Sequence, residues 1–212
     1  MAQRSCVFQL NEERRGSMKP PYRSVESMLA LIDGPNGRAC EKMLAENRKL
    51  FQTVPGSSHN HQAWPGGYYD HMQEAMNLAS DLYVMYSARR PLPFTLSDAL
   101  LVLFLHDTEK PWKYELGEDG LLRYKRDFDS KEKAQAFREA KFAEYGIALT
   151  PEQANGLRYV EGEIGDSSPR ERRMGPLASL CHQADNASAR MWPEYPLEQD
   201  DPWEGAGRFR DT

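Results

Sequence analysis

Leu100-Leu101-Val102-Leu103-Phe104-Leu105-His106-Asp107-Thr108-Glu109-Lys110 is the stretch from which the fold is read. Its first six residues are apolar without a break, and they run into an imidazole and a carboxylate. A helix that is apolar nearly all round is a buried one, so residues 98–107 are expected to form the central helix, capped by Thr95 or Ser97. His106 and Asp107 then stand at the edge of a core. An unpaired polar or charged group there is strongly disfavoured. A metal ion is one partner that would satisfy both.

The flanking sequence supplies helices to pack around that centre. Residues 68–88 place Tyr69, Met72, Ala75, Met76, Ala79, Leu82, Tyr83 and Tyr86 at the 3.6-residue period of one long amphipathic helix. Before it come a short helix over 24–32, a turn cluster Asp33-Gly34-Pro35-Asn36-Gly37, a helix over 38–51 and a polar loop over 54–67. After the centre, Lys110-Pro111 is expected to close the helix. Residues 112–116 and 121–125 then flank Gly117-Glu118-Asp119-Gly120 as a short β-hairpin. A charged helix over 130–145 follows, ended by Gly146. Thr150-Pro151-Glu152-Gln153 is a capping box with proline at the first helical position, opening a helix to about Val160. A last helix covers 176–191. The expectation is an all-α bundle with a small β-hairpin after the His-Asp helix. Residues 1–23 read as an N-terminal arm, 24–191 as one domain and 192–212 as an acidic Pro/Gly-rich tail.

Composition narrows the function. The chain has 212 residues, of which 40% are hydrophobic and 28% charged, and a net charge of −5. That balance supports a core but not a basic face for wholesale DNA binding. Three cysteines without CxxC spacing argue against a disulfide framework and for a reduced, cytoplasmic setting. The N-terminus lacks the apolar core of a secretory signal, and no apolar run approaches the roughly 20 residues of a membrane span.

Five histidines carry the chemistry: His59, His61, His71, His106 and His182. His71 falls in the first turn of the long helix, His106 and Asp107 at the end of the central one, and Asp185 in the last. Two imidazoles and two carboxylates from three helices make a mixed nitrogen and oxygen site. It suits a divalent ion such as Mn, Fe, Co, Ni or Zn, with Mg as an option. Glu109 beside it could position water or act as a general acid or base. His59 and His182 read as a loop residue and a core or supporting histidine.

The ordered set Gly66-Gly67-Tyr68-Tyr69-Asp70-His71, His106-Asp107-Thr108-Glu109-Lys110 and Ala184-Asp185-Asn186-Ala187 resembles the HD-domain superfamily of metal-dependent phosphohydrolases, in its compact single-domain form. The resemblance covers roughly residues 55–191. It implies His71, His106, Asp107 and Asp185 as metal ligands and Lys110 as a contact to the substrate phosphate. It also implies a phosphate-contact or acid role for His61, ten residues before His71. The stretch 158–163 carries no histidine where larger relatives hold a second metal, so one metal site is favoured over two unless Glu161 or Glu163 substitutes. The implied activity is hydrolysis of a phosphate ester or anhydride of a nucleotide, of the dNTP triphosphohydrolase or nucleotidase type, with Trp64 or Trp112 stacking on a base. Arg123, Lys125 and Arg126 form either a solvated face or a reach toward a polyphosphate. An HD-type phosphodiesterase or 3′-5′ exonuclease, which alone would bring nucleic acid as a partner, and a non-catalytic nucleotide-binding module are the competing readings. Homo-oligomers are common in that family.

Overall fold

The computed structural model describes residues 21–191 other than 59, 117–121, 164 and 167. The expectations for residues 1–20, for His59, for the hairpin turn and for the tail lie outside the described residues. The chain is mostly helical. In order, its elements are α1 (Val25–Leu29), α2 (Gly34–Phe51), α3 (Gly67–Ser87), α4 (Leu96–Leu105), α5 (Lys110–Lys113), β1 (Tyr114–Leu116), β2 (Leu122–Tyr124), a 3-10 turn (Arg126–Phe128), α6 (Lys131–Tyr145), α7 (Pro151–Tyr159) and α8 (Pro176–Met191).

The uninterrupted apolar run does become the centre. Every residue from Ala99 to Leu105 is at most 1% exposed. A helix apolar on all sides must be covered on all sides, and α4 packs against α2, α3, α7 and α8. Its start is fixed by a reciprocal cap. The Asp98 amide donates to Thr95 Oγ1 at 3.2 Å, and the Thr95 amide donates to Asp98 Oδ2 at 2.8 Å. Gln153 Nε2 then donates to Asp98 Oδ1 at 2.8 Å, which pins the α7 capping box to the α4 cap.

Several boundaries differ from the sequence expectation. The central helix stops at Leu105, and His106 is its C-cap. Lys110-Pro111 does not close a helix but opens α5, which takes Trp112 and Lys113 out of the expected first strand. The reason is local. Proline lacks an amide hydrogen, and the first turn of a helix needs none there. The same effect makes Asp33 to Gly37 the start of α2 rather than a free turn, with Pro35 in its first turn. The hairpin forms with Tyr114 opposite Tyr124 and Glu115 opposite Arg123. Arg123 is exposed on it. At the other end, Tyr22 and Arg23 of the expected arm are fastened to α3. Tyr22 Oη donates to Glu74 at 2.6 Å, and the Arg23 amide donates to Asn77 Oδ1 at 2.8 Å. Among the described residues no helix is long and apolar enough to cross a membrane.

Candidate metal centre

The loop before α3 is folded by its own polar groups. Ser57 Oγ accepts from the amides of Asn60 and His61, both at 2.9 Å, and donates to the His61 carbonyl at 2.8 Å. The Gln62 carbonyl accepts from the Gly56 amide at 2.9 Å. Gln62 Nε2 donates to the Ser188 carbonyl on α8 at 2.9 Å. Gly66 sits in the left-handed region at φ 79°, and a Cβ on Gly67 would stand 1.9 Å from the Gln62 carbonyl oxygen. The two glycines therefore let the chain turn sharply into α3 against that loop. This folding brings the His61 ring to 5.2 Å from the His71 ring, centroid to centroid.

His71, His106 and Asp185 each offer a donor atom, and the three atoms lie within 4.8 Å of one another. His71 Nε2 is 3.0 Å and His106 Nε2 3.4 Å from Asp185 Oδ1. Asp107 adjoins this compact set without belonging to it. Its Oδ2 is 3.2 Å from His106 Nε2, 3.9 Å from His71 Nε2 and 2.5 Å from Lys110 Nζ. Three of the four residues expected as ligands, His71, His106 and Asp185, thus form a set that could hold an ion, with Asp107 beside it, shared between the imidazoles and Lys110.

The outer nitrogens decide which way the rings present themselves. His106 Nδ1 lies 2.7 Å from the Leu103 carbonyl, which can only accept, so the hydrogen is on Nδ1. His71 Nδ1 lies 3.0 Å from Ser188 Oγ, and that hydroxyl faces the His71 carbonyl at 3.5 Å. A hydroxyl that donates to the carbonyl accepts from Nδ1. Both Nε2 atoms therefore point inward, and both are buried with no hydrogen-bond partner among the described residues. Imidazoles oriented through Nδ1 with Nε2 directed at a carboxylate have the arrangement of metal-binding histidines. The residues present fit a divalent cation. Ser188→Ala is expected to weaken metal binding by about 10–100-fold while the helical circular-dichroism signal stays intact. Unchanged affinity by metal titration would remove Ser188 from this role.

Charge reinforces the fit. Burial opposes a proton on His106, but the Asp107 and Asp185 carboxylates outweigh it and raise its pKa well above the ordinary imidazole value. Burial likewise opposes ionisation of Asp107 and Asp185. Lys110 and His106 hold the first well below the usual carboxylate range, and His106 and His71 hold the second there. Burial works against the Lys110 charge, yet Asp107, Asp185 and Glu109 lift its pKa and keep it an ammonium. Burial, then the charges of Lys110 and His71, lower His61 to about 4. At neutral pH His61 is therefore uncharged and carries one N–H donor. The set has an open side. Asp185 and Lys110 keep 16% and 13% of their side-chain surface exposed, against 1% and 2% for His71 and His106.

Glu109 is buried, and its Oε2 lies 3.6 Å from Arg138 Nη1. The same Nη1 donates to the His106 carbonyl at 2.6 Å. Nothing local in the sequence ties Arg138 to His106, 32 residues earlier. Ser188 could have been found, because it shares a helical face with Asp185 three residues before it.

Other sequence candidates lie elsewhere. Trp112 packs against Phe51 and Phe137 and carries Lys141 Nζ at 4.8 Å from its ring centroid, so its ring is largely taken up by the core. The Trp64 indole donates to Asp70 at 2.8 Å. His182 Nδ1 donates to the Val160 carbonyl at 2.7 Å. Glu163 accepts from the amides of Arg173 and Met174, and Glu161 is an exposed residue outside the compact set. In comparisons with family models, curated proteins and solved structures, nothing matches this chain.

Proposed function

We propose that this protein is a metal-dependent phosphohydrolase acting on a nucleotide phosphate ester or anhydride, as its resemblance to compact HD-domain enzymes implies. The observation that supports this most is the pair of buried Nε2 atoms, each oriented through its own Nδ1 contact and each facing the Asp185 carboxylate. When bound, a divalent cation supplies Lewis-acid polarisation of a phosphoryl oxygen and a water acidified toward neutrality.

The chain's own residues do the rest. His71, His106 and Asp185 would hold the ion, with Asp107 as a further donor. Lys110 is charged, partly exposed and paired with Asp107 at the open side, where its ammonium can take a phosphoryl oxygen. His61 stands on the same side as a neutral donor. Glu109, buried near Asp107, is placed to hold or move a proton.

Protein prepared with supplemented metal should carry about one divalent ion per chain by elemental analysis. It should release phosphate, pyrophosphate or triphosphate in a screen of nucleoside mono- and triphosphates with Mn, Co, Mg and Zn. Mononucleotides released from a short oligonucleotide would move the assignment to an exonuclease. Metal-free, inactive protein would overturn it.

A pH dependence follows. With its pKa raised, His106 gives up its second proton less readily in the metal-free protein, and an ion binding at Nε2 competes with that proton. Metal affinity should therefore rise with pH, and binding should release protons. Calorimetry in buffers of different ionisation heat measures this, and a binding heat independent of buffer would contradict it.

A further inference from the structure

A cavity of about 670 Å³ lies against the Glu109 side of the His106–Lys110 turn, between α6 and the end of α7. That volume falls within the roughly 300–1,000 Å³ of small-molecule sites. Its walls come from α5, the 3-10 turn, α6 and the α7 end. Among the described residues, none of its lining comes from the loop over 54–67, α3 or α8, which carry His61, His71 and Asp185. Among the described residues it is therefore a separate compartment that meets the metal centre through Glu109 and Arg138.

Among the described residues three cationic side chains line it: Lys113, Arg138 and Arg158, the last also donating to Asp166 Oδ2 at 2.7 Å. Ser130, the N-cap of α6, lines it too, so the positive end of a 15-residue helix opens there. On the inner wall stands Glu109, 7% exposed, whose Oε2 is buried with no hydrogen-bond partner among the described residues. That oxygen is ion-paired with Arg138 Nη1 at 3.6 Å, and the Glu109 carboxylate, as part of the lining, is the acceptor a ligand's donor group would meet. The remaining acids, Asp129 and Glu161, are exposed, and Asp129 is paired with Lys133 at 2.9 Å. This mixed lining disfavours a polyanion and fits one phosphate with a donor group near it.

The geometry points to a second ligand site, for a phosphorylated small molecule that also carries a hydroxyl or amino donor, as a nucleoside monophosphate or a sugar phosphate does. Its phosphate meets Arg138, Arg158 and Lys113, and its donor meets Glu109. Arg138 also holds the His106 carbonyl, so occupation of the site bears on the backbone of a metal-centre residue. The proposal stands whether or not the metal centre is catalytic.

The test uses the whole chain, stripped with EDTA so that the metal centre takes no part. Calorimetric titration compares a nucleoside 5′-monophosphate, ribose 5-phosphate, the unphosphorylated nucleoside and inorganic phosphate. At least one of the two organic phosphates should bind saturably, and the nucleoside should bind about tenfold or more weaker. Which of the two binds tells whether a base is read. Arg158→Ala and Ala134→Phe should each weaken binding by about tenfold or more, and Asp185→Asn should leave it unchanged. Circular dichroism verifies each fold, and Gln135→Phe on the exposed part of the same wall replaces Ala134→Phe if that variant does not fold. No saturable binding by any phosphate probe, or binding lost in Asp185→Asn but kept in both cavity variants, overturns the proposal.

Discussion

His106→Ala is expected to empty the metal centre and lower phosphohydrolase activity by more than about a thousandfold, the equivalent of several kcal/mol of lost transition-state stabilisation. His106 is the middle of the site. Its Nε2 lies within 3.4 Å of both Asp107 and Asp185, and its Nδ1 is held by the Leu103 carbonyl. Removing the ring deletes a donor and leaves two carboxylates without the positive group between them. His71, Asp185 and the adjoining Asp107 then lack the ring that stands between them. The fold should survive, because α4 is held by its apolar surface and the Thr95 cap, both upstream of the substitution. Elemental analysis, product assay and thermal melting would be measured together. A folded His106→Ala protein with full metal content and near-normal turnover would sink the proposed function.

Gly67→Ala should destabilise the domain by about 3 kcal/mol, far more than an added methyl on a helix usually does. The new Cβ would stand 1.9 Å from the Gln62 carbonyl oxygen and 2.8 Å from its carbon, both backbone atoms that cannot rotate away. Relief requires moving the segment that Gly56, Gln62 and Ser188 hold together. Since that segment carries His61 and borders His71, loosened metal binding should accompany the lost stability. Gly146→Ala is the control. Gly146 also has a positive φ, at 72°, but a Cβ there meets nothing within 4 Å. Its cost is the backbone term alone, about 1 kcal/mol. Urea unfolding of both variants measures the contrast, and equal midpoints would mean that the close approach at Gly67 carries no weight.

Much of this molecule was legible in one dimension. An unbroken apolar run cannot be a surface helix, so residues 99–105 announced the centre of the bundle from composition alone. The period of 69–86, the capping box at Thr150 and the stop at Gly146 are local features whose causes lie within a turn or two of chain. The candidate ligands were legible for a related reason. His106 ends an apolar run and has few satisfied places to go, the resemblance points to His71 and Asp185 as well, and the three do meet.

What tertiary structure decided is what depends on groups far apart in the chain. That His106 and His71 both turn Nε2 inward follows from a carbonyl one turn back and from Ser188, 117 residues away. That Trp112 is packed rather than open follows from Phe51 and Phe137 closing on it. Glu109 had no assignable direction in the sequence. Arg138 and the cavity between α6 and α7 now give it one, because a buried carboxylate is defined by what surrounds it. Sequence determined which residues had to be buried and which needed partners. Only the packing of helices distant in the chain determined who the partners are.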